Sequence, residues 1–170
     1  DALVTQYSEK DVERLLYKYG NAFTDTYQRL RPIHETLLDI KELEALTDQT
    51  NASVKLLVVE SKDRAYLRVY QRENLFLSEM LPVIDNFGLQ VVDQFADPVC
   101  LPSGERYTID TFRLAGSDDF TLAELKLAAD SLSSGIEAAF ANQVSTGVLN
   151  WLVLRAGLSW RSVDLFRAKF

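Results

Sequence analysis

The sequence predicts an α+β fold in which helices cover a small, mostly antiparallel, four-stranded sheet. Hydrophobic residues recur with a helical period at both ends of the chain and with a period of two in the middle. The order of elements is therefore helices, a β-β-α-β-β unit, then helices, which is typical of α+β proteins. We divide the chain into an N-terminal helical segment (1–50), the β-β-α-β-β unit (51–116) and a C-terminal helical segment (117–170).

The N-terminal segment predicts two helices. Ser8 is a candidate N-cap for the first helix, which ends near Gly20, and Pro32 suits the start of a second helix that extends to Leu46. The apolar stripe of the first helix consists of Val12, Leu15, Leu16 and Tyr19. The stripe of the second consists of Ile33, Leu37, Ile40 and Leu43.

The central unit begins with two alternating runs, 54–59 and 65–71, which predict a hairpin. The first run is apolar on both faces, so we expect it at the centre of the sheet. A helix from Glu79 to Phe87 follows, with Ser78 as its cap and Pro82 in its first turn. Strands are predicted at 89–95 and 107–114, joined by an exposed loop that includes Asp97-Pro98.

The C-terminal segment predicts one long and two short helices. Thr121 and Glu124 have capping-box spacing, so a helix begins at Leu122 and continues to about Gln143, with Gly135 as a local weak point. The last 21 residues predict two short helices broken at Gly157, the second unfinished at Phe170. We therefore expect the chain to be part of a longer protein, and we expect Trp151 and Trp160 to mark a face where another part of that protein docks.

Composition excludes several classes of function. The 170 residues are 47% hydrophobic and have a formal charge of −7, which disfavours nucleic acid and anionic lipid as partners. The longest apolar run near the end, 148–158, is shorter than the ~20 residues that span a bilayer, so we expect no membrane association. With Cys100 as the single cysteine and no secretory feature, we expect a cytoplasmic protein.

Motifs for catalysis, cofactors and metals are missing from the sequence. It contains neither G-x-G-x-x-G nor G-x-x-x-x-G-K, so we predict no cofactor site in this segment. His34 is the only histidine and Cys100 is distant from it in sequence; we interpret both as ordinary residues and predict no catalytic or metal site.

Two groups of charged residues have an alternative, functional interpretation. Four carboxylates near strand and helix ends would support acid–base catalysis, as in a small hydrolase, if they converged, but each also suits a structural role. They are Asp85, Asp93, Asp97 and Asp110. Three arginines of the terminal helices would form an anion site if they aligned, although covering apolar surface or pairing with acids is the stronger interpretation. They are Arg155, Arg161 and Arg167.

Several blocks, in order, resemble the non-catalytic N-terminal region of large bacterial NAD-dependent glutamate dehydrogenases. The most specific are Leu81-Pro-Val-Ile-Asp-Asn-Phe-Gly-Leu-Gln-Val-Val-Asp93 and Leu152-Val-Leu-Arg-Ala-Gly-Leu-Ser-Trp-Arg161. Weaker matches lie at 1–4, 22–27, 39–46 and in the rest of 149–169.

The resemblance implies an ACT-like regulatory or assembly module that contains no catalytic residue. The parent enzyme would use NAD to deaminate L-glutamate oxidatively to 2-oxoglutarate and ammonia. The implied partners are the remainder of the same polypeptide, other subunits of a homo-oligomer and an amino-acid effector. The alternative is an amino-acid-binding, ACT-like sensor. The β-β-α-β-β order departs from the β-α-β-β-α-β order of an ordinary ACT domain, and Ser162 stands where the family favours an acid.

Overall fold

The computed structural model describes residues 9–46, 50, 52–72, 75–117, 119–145 and 147–168. Its helices are α1 (Glu9–Tyr19), α2 (Asp25–Leu30), α3 (Ile33–Ala45), α4 (Leu77–Asn86), α5 (Leu122–Phe140), α6 (Leu152–Arg155) and α7 (Trp160–Arg167). Its strands are β1 (Ala52–Val59), β2 (Arg64–Gln71), β3 (Val91–Cys100) and β4 (Arg106–Leu114). The predicted cap Ser8 and the predicted unfinished end at Phe170 lie outside the described residues.

The four strands form one sheet in the order β1-β2-β4-β3, and every neighbouring pair is antiparallel. The predicted α+β class and four-stranded sheet are confirmed. The register places Leu56 opposite Leu67, and Leu67 opposite Phe112. These three side chains belong to one core on one face of the sheet. Because side chains alternate across a strand, the residues between them face the other way.

Helices cover both faces of this sheet. The first core packs residues of β1, β2 and β4 against α4, α5, α6 and α7. The second core lies on the opposite face and packs Tyr70, Val99, Tyr107 and Ile109 of the sheet against α1, α2 and α3. The N-terminal and C-terminal helices are thus separated by the sheet. No helix among the described residues is long and apolar enough to cross a bilayer.

The prediction that the first strand is central is wrong, because β1 is an edge strand. Its outer edge is covered by α5, whose Glu137 Oε1 accepts from the Val54 N–H at 2.7 Å and whose Ser133 Oγ accepts from the Leu56 N–H at 3.1 Å. One face of β1 is buried in the first core and Leu57 and Val59 of the other face are half-buried, so its apolar pattern does not require a central position. An apolar pattern reports burial and does not distinguish the ways of achieving it.

The region from α4 to β3 also differs from prediction. Helix α4 begins two residues earlier than predicted, so Pro82 is its sixth residue and lies beyond the first turn. Strand β3 extends through Asp97 and Pro98, which were predicted to lie in a loop. Pro98 is compatible with this strand because its missing N–H points to the open edge.

The N-terminal layer contains a helix that the sequence analysis did not predict. Helix α2 is six residues long, and the Thr24 side chain accepts a hydrogen bond from the Tyr27 N–H at 3.2 Å. The predicted apolar stripes of α1 and α3 are only partly buried. Ile33 is 80% exposed, whereas four other stripe residues are buried: Leu15, Tyr19, Ile40 and Leu43.

The long helix α5 begins at Leu122 as predicted. The Glu124 N–H donates to Thr121 Oγ1 at 3.2 Å, and the Thr121 N–H donates to Glu124 Oε2 at 2.7 Å. The helix ends three residues before the predicted Gln143, because Asn142 adopts a left-handed conformation with φ of 54°. The Gln143 N–H then donates back to the Ala138 carbonyl at 2.9 Å, which closes the end of the helix.

Candidate functional site

A buried ionic cluster lies between α3 and the sheet. Arg68 of β2 donates to Asp39 Oδ1 at 2.8 Å and to Glu35 Oε2 at 2.6 Å. The Arg68 side chain is 5% exposed and that of Asp39 is 1% exposed. Because buried charges are tolerated only when paired, this cluster fixes the position of α3 on the sheet.

Two tyrosines complete the hydrogen bonding of Asp39. The Tyr70 hydroxyl donates to Asp39 Oδ1 at 2.6 Å, and the Tyr27 hydroxyl donates to Oδ2. Burial raises the pKa of both phenols, and the adjacent carboxylate raises it further, so both remain protonated donors. Since donors hold both oxygens of Asp39, the cluster is suited to joining α2 and α3 to the sheet and unsuited to proton transfer.

Arg31 extends this cluster to β3 and β4. Its Nη2 lies 3.3 Å from Thr111 Oγ1 and 3.8 Å from Asp97 Oδ2, and its Nη1 lies 3.4 Å from Glu35 Oε2. Its guanidinium lies 5.9 Å from the centroid of the Tyr27 ring. Burial raises the pKa of Asp97, although Arg31 opposes the rise. All three polar distances of Arg31 are long, so its charge is only loosely neutralised.

Asp110 lies on the opposite face of the sheet and is paired with amides in place of cations. Its Oδ2 accepts from Gln71 Nε2 and its Oδ1 accepts from Gln94 Nε2, both at 2.5 Å. Gln71 Oε1 in turn accepts from the Leu75 N–H at 2.6 Å. Burial raises the pKa of Asp110, and the two amide hydrogen bonds oppose the rise. This chain of bonds ties β4 to the segment that precedes α4.

The structure does not bring the four candidate carboxylates together. Asp85 is exposed on α4, and Asp93 pairs with Arg113 on the neighbouring strand. Asp97 faces the N-terminal helices through Arg31, whereas Asp110 faces the other core. The acid–base site that would require their convergence is therefore not formed.

The other candidates occupy separate positions. His34 is exposed on α3, and Cys100 is exposed at the end of β3. Arg155 pairs with Asp119, and its guanidinium lies 5.5 Å from the Trp151 ring centroid.

The two remaining arginines also contact partners within the described residues. The Arg161 guanidinium lies 4.6 Å from the Trp160 ring centroid. Arg167 donates to the Ser145 carbonyl and to Asn150 Oδ1, and it pairs with Asp164. Together with Arg155, these residues cover aromatic surface or pair with polar groups, and they do not form one anion site.

The open edge of the sheet is the surface that the fold leaves available. The Cys100 N–H donates to the Ala22 carbonyl at 2.9 Å, so the amide at this position of β3 points away from β4. The two-residue alternation of an antiparallel ladder then directs the amides of Ala96 and Gln94 outward as well. The side chains of Val92 and Phe95 are 53% and 60% exposed on this strand. Beyond the contact with residues 22 and 23, no described element pairs with this edge.

The described residues do not fit NAD or a metal ion. Every strand pair is antiparallel, so the sheet lacks the parallel strand–turn–helix unit that binds a dinucleotide pyrophosphate. Among the described residues, the glycines with a left-handed backbone conformation are Gly88, Gly104 and Gly157. They lie in three separate turns and do not form one glycine-rich loop. In the same part of the chain, no three His, Cys, Asp or Glu side chains are grouped to hold a metal.

The cluster around Arg68 was not predicted from the sequence. One signal was present: Asp39 lies one turn before Leu43, on the side of α3 that is buried. An acid at a buried helix position requires a donor nearby. The donor is Arg68, 29 positions later in the sequence. A periodic pattern cannot identify it, because the pattern does not show which strand packs against α3.

Comparison with known proteins agrees with this architecture. Residues 53–129, which include the beginning of α5 and all of the sheet except Ala52, match the family model described as "Glutamate dehydrogenase, ACT3 domain". This part of the chain is therefore similar to the ACT-like domain of glutamate dehydrogenases.

The relatives extend this similarity to nearly the whole chain. The chain is 27% identical to the NAD-specific glutamate dehydrogenase of Pseudomonas aeruginosa, over 98% of the chain. It is also 27% identical to the NAD-specific glutamate dehydrogenase of Mycobacterium tuberculosis, over 88% of the chain. The corresponding protein of Halomonas elongata is 23% identical over 99% of the chain. The chain spans about a tenth of the length of these relatives. The predicted resemblance is confirmed: the chain is similar to a segment of NAD-specific glutamate dehydrogenases that includes an ACT-like domain.

Proposed function

We propose that this chain is a non-catalytic regulatory and assembly segment of an NAD-dependent glutamate dehydrogenase. In this proposal the whole protein is cytoplasmic and deaminates L-glutamate oxidatively to 2-oxoglutarate and ammonia. The catalytic residues and the NAD site lie in the rest of the polypeptide. The segment contacts other subunits of a homo-oligomer.

The observation that carries the assembly role is the difference between the two edges of the sheet. The outer edge of β1 is closed by Ser133 and Glu137. On β3, in contrast, the amides of Gln94 and Ala96 point outward and the side chains of Val92 and Phe95 are exposed. An open edge with apolar side chains is a template for pairing with another strand. A two-fold axis beside β3 would pair it with its copy and create a continuous eight-stranded sheet.

The acidic residues of β3 do not oppose this pairing. Asp93 pairs with Arg113 and Asp97 lies near Arg31, so each carboxylate has a cation on its own subunit. Like charges brought together across the axis are therefore partly neutralised before the subunits meet. Pro98 removes a donor at the end of the open stretch and so limits pairing to the residues before it.

Sedimentation velocity on the 170-residue chain tests this role. We expect a concentration-dependent dimer for the wild type and a monomer for Phe95→Glu, because a charge replaces an exposed apolar side chain on the pairing edge. Leu127→Glu is the matched control, since Leu127 is 89% exposed on α5, and it should dimerise like the wild type. Dimerisation of Phe95→Glu with unchanged affinity would contradict the proposal.

An activity assay tests the non-catalytic part of the proposal. The isolated chain should not reduce NAD in the presence of L-glutamate. Glutamate-dependent reduction by the purified 170 residues would overturn the claim.

A cavity near α7 favours amino-acid sensing as a second candidate function. It has a volume of about 600 Å³, and carboxylates and carbonyls on its wall suit an ammonium group. Arg167 contacts two residues of this wall, because it donates to the Ser145 carbonyl and pairs with Asp164. The polar residues of its wall are Glu79, Asn142, Gln143, Ser145 and Asp164. Calorimetry with a panel of free amino acids should then show saturable heat that Asp164→Asn abolishes; a purely architectural segment gives none.

A further inference from the structure

The open edge of β3 can pair with a second copy of itself in only a few registers. In an antiparallel pair, two opposite residues either both direct their backbone groups towards each other or both direct them away. Gln94 and Ala96 point outward, whereas Asp93 and Phe95 point to β4. A two-fold axis must therefore pass through the level of one residue, because an axis between two residues would pair an outward residue with an inward one.

The backbone of β3 favours an axis at the level of Phe95. This axis places Gln94 opposite Ala96 of the partner subunit on both sides, so the outward amides and carbonyls of these two residues bond to each other. Only the first residue of the partner strand then meets the end of β3 that residues 22 and 23 cover.

The neighbouring registers fit the same backbone less well. An axis at Gln94 would need the carbonyl of Val92, which lies in the irregular stretch between Val91 and Asp93, where the ladder shifts by one residue. An axis at Ala96 would place two residues of the partner strand, 92 and 93, where residues 22 and 23 already pair with β3.

The side chains of the edge favour the same register. Phe95 is 60% exposed. An axis at its level places the two Phe95 residues directly opposite each other in a pair without mutual hydrogen bonds, the kind in which side chains come closest. An axis at Gln94 or at Ala96 would instead place Phe95 opposite a carboxylate of the partner subunit, that of residue 93 or residue 97.

The register at Phe95 also places Asp93 opposite Asp97 of the partner subunit. Like charges at opposite positions weaken a pair of strands. Here each carboxylate carries a cation on its own subunit: both oxygens of Asp93 accept from Arg113 Nε at 3.0 Å, and Asp97 Oδ2 lies 3.8 Å from Arg31 Nη2. The repulsion is therefore partly neutralised.

We propose that a second copy of this chain pairs with β3 in one register, with the two-fold axis at Phe95 and with Gln94 opposite Ala96 of the partner subunit. The inference rests on the assembly role proposed above and adds which residues of the two copies meet. In this interface the two Phe95 side chains are neighbours, and the two Cys100 thiols lie at opposite ends.

Disulfide trapping of single-cysteine variants tests this register. Phe95→Cys, Gln94→Cys and Ala96→Cys are compared in the background Cys100→Ser, which removes the natural, exposed thiol, with oxidised glutathione as the oxidant. Opposite residues without mutual hydrogen bonds have Cα atoms about 4.5 Å apart, within the disulfide range of about 4.4–6.8 Å. Phe95→Cys should therefore form a covalent dimer. The covalent dimer should be lost in the other two variants, because each cysteine is offset from its copy by two residues and lies beyond about 7 Å.

Sedimentation velocity of the Cys100→Ser protein separates this inference from the assembly role. If this protein dimerises but Gln94→Cys or Ala96→Cys forms the disulfide, or no variant does, the register is wrong and the assembly role stands. If it stays monomeric at all concentrations, both are wrong.

A measurement on the wild type avoids any change of the edge. Mixed dimers of isotope-labelled and unlabelled chains should show an intersubunit nuclear Overhauser effect between the two Phe95 residues. A dimer that lacks this effect would contradict the register.

Discussion

A few residues do much to fix the N-terminal helices on the sheet, and Arg68 of β2 is central among them. Its guanidinium pairs with Asp39 in a site where both side chains are almost fully buried. Removing only one member of a buried pair leaves an uncompensated charge, whereas removing both members does not. The stability of the chain should therefore depend on the pair as a unit.

Replacing Arg68 tests this dependence. Arg68→Met should lower the free energy of unfolding by about 3–5 kcal/mol, because it leaves Asp39 buried without its cation. The double variant Arg68→Met/Asp39→Leu should lose clearly less than the sum of the two single variants. Chemical denaturation of all four proteins measures the coupling. Strict additivity would show that the pair does not act as a unit.

Glu44 makes stability depend on pH. Burial alone would raise its pKa, but hydrogen bonds from Lys18, Arg14 and Tyr19 outweigh this and lower the pKa to about 2. The unfolded-state pKa is near the ordinary value of about 4.3. Because the folded-state pKa is lower, the contribution of Glu44 is complete above about pH 4.5 and is lost as the pH falls towards 2.

Substitution of Glu44 isolates this contribution. Glu44→Gln should cost about 1 kcal/mol at pH 7, since solvent screening weakens the ion pairs of a partly exposed carboxylate. The cost should shrink as the pH is lowered from 5 to 3. Urea unfolding of both proteins across this range provides the measurement. A cost that stays constant with pH would show that ionisation of Glu44 does not stabilise the fold.

At the scale of elements, Gly135 shows how packing overrides helix propensity. Helix propensity predicts a weak point of α5 at this glycine, but the helix is continuous through it. A Cβ at this position would lie 2.7 Å from Phe87 Cε1 and 3.3 Å from the Trp160 Cβ. The glycine therefore allows α5 to approach the end of α4 and the start of α7.

A substitution at Gly135 shows whether helix propensity or close packing determines the stability at this position. Gly135→Ala would gain about 1 kcal/mol if only propensity mattered, but overpacking costs about 1–3 kcal/mol, so we expect no stabilisation and a net loss. Ser134→Ala, at an exposed neighbouring position, removes only a hydrogen bond to the Ser131 carbonyl of the same helix and should show a helix-propensity gain without overpacking. Thermal unfolding of the two variants compares them. A more stable Gly135→Ala protein would contradict the close approach.

The elements that the sequence predicted correctly are those with local signals. Thr121 and Glu124 identify the start of α5 because both capping partners lie within four residues. The position of β1 at the edge could not be predicted, because its closure depends on Ser133 and Glu137, about 80 residues later. Helix α2 was missed because six residues are too few to show a clear period.

The candidate surfaces were less predictable than the fold. The sequence indicated that no catalytic site was present in the segment, a prediction that the activity assay above will test. It did not identify the open edge, since an alternating pattern does not reveal which strand lacks a neighbour. It also placed Leu16 and Ile33 on apolar stripes without showing that the fold leaves both exposed beside a groove.

At the scale of the whole molecule, one sheet separates two helical layers and leaves one of its edges open. Residues 22 and 23 cover the end of β3 at Val99 and Cys100, and α5 covers β1. The remaining stretch of β3 is the place where this segment would join another subunit. The assembly role thus depends on whether the outward amides of β3 acquire partners.

Amide hydrogen exchange of Gln94 and Ala96, followed by NMR as a function of protein concentration, tests this claim most directly. In the dimer these amides donate to the partner strand, so we predict that their exchange slows as concentration rises and becomes fast again in Phe95→Glu. The amides of Val54 and Leu56, which donate within the subunit, serve as controls and should be protected at every concentration. Fast exchange of Gln94 and Ala96 at all concentrations would contradict the account.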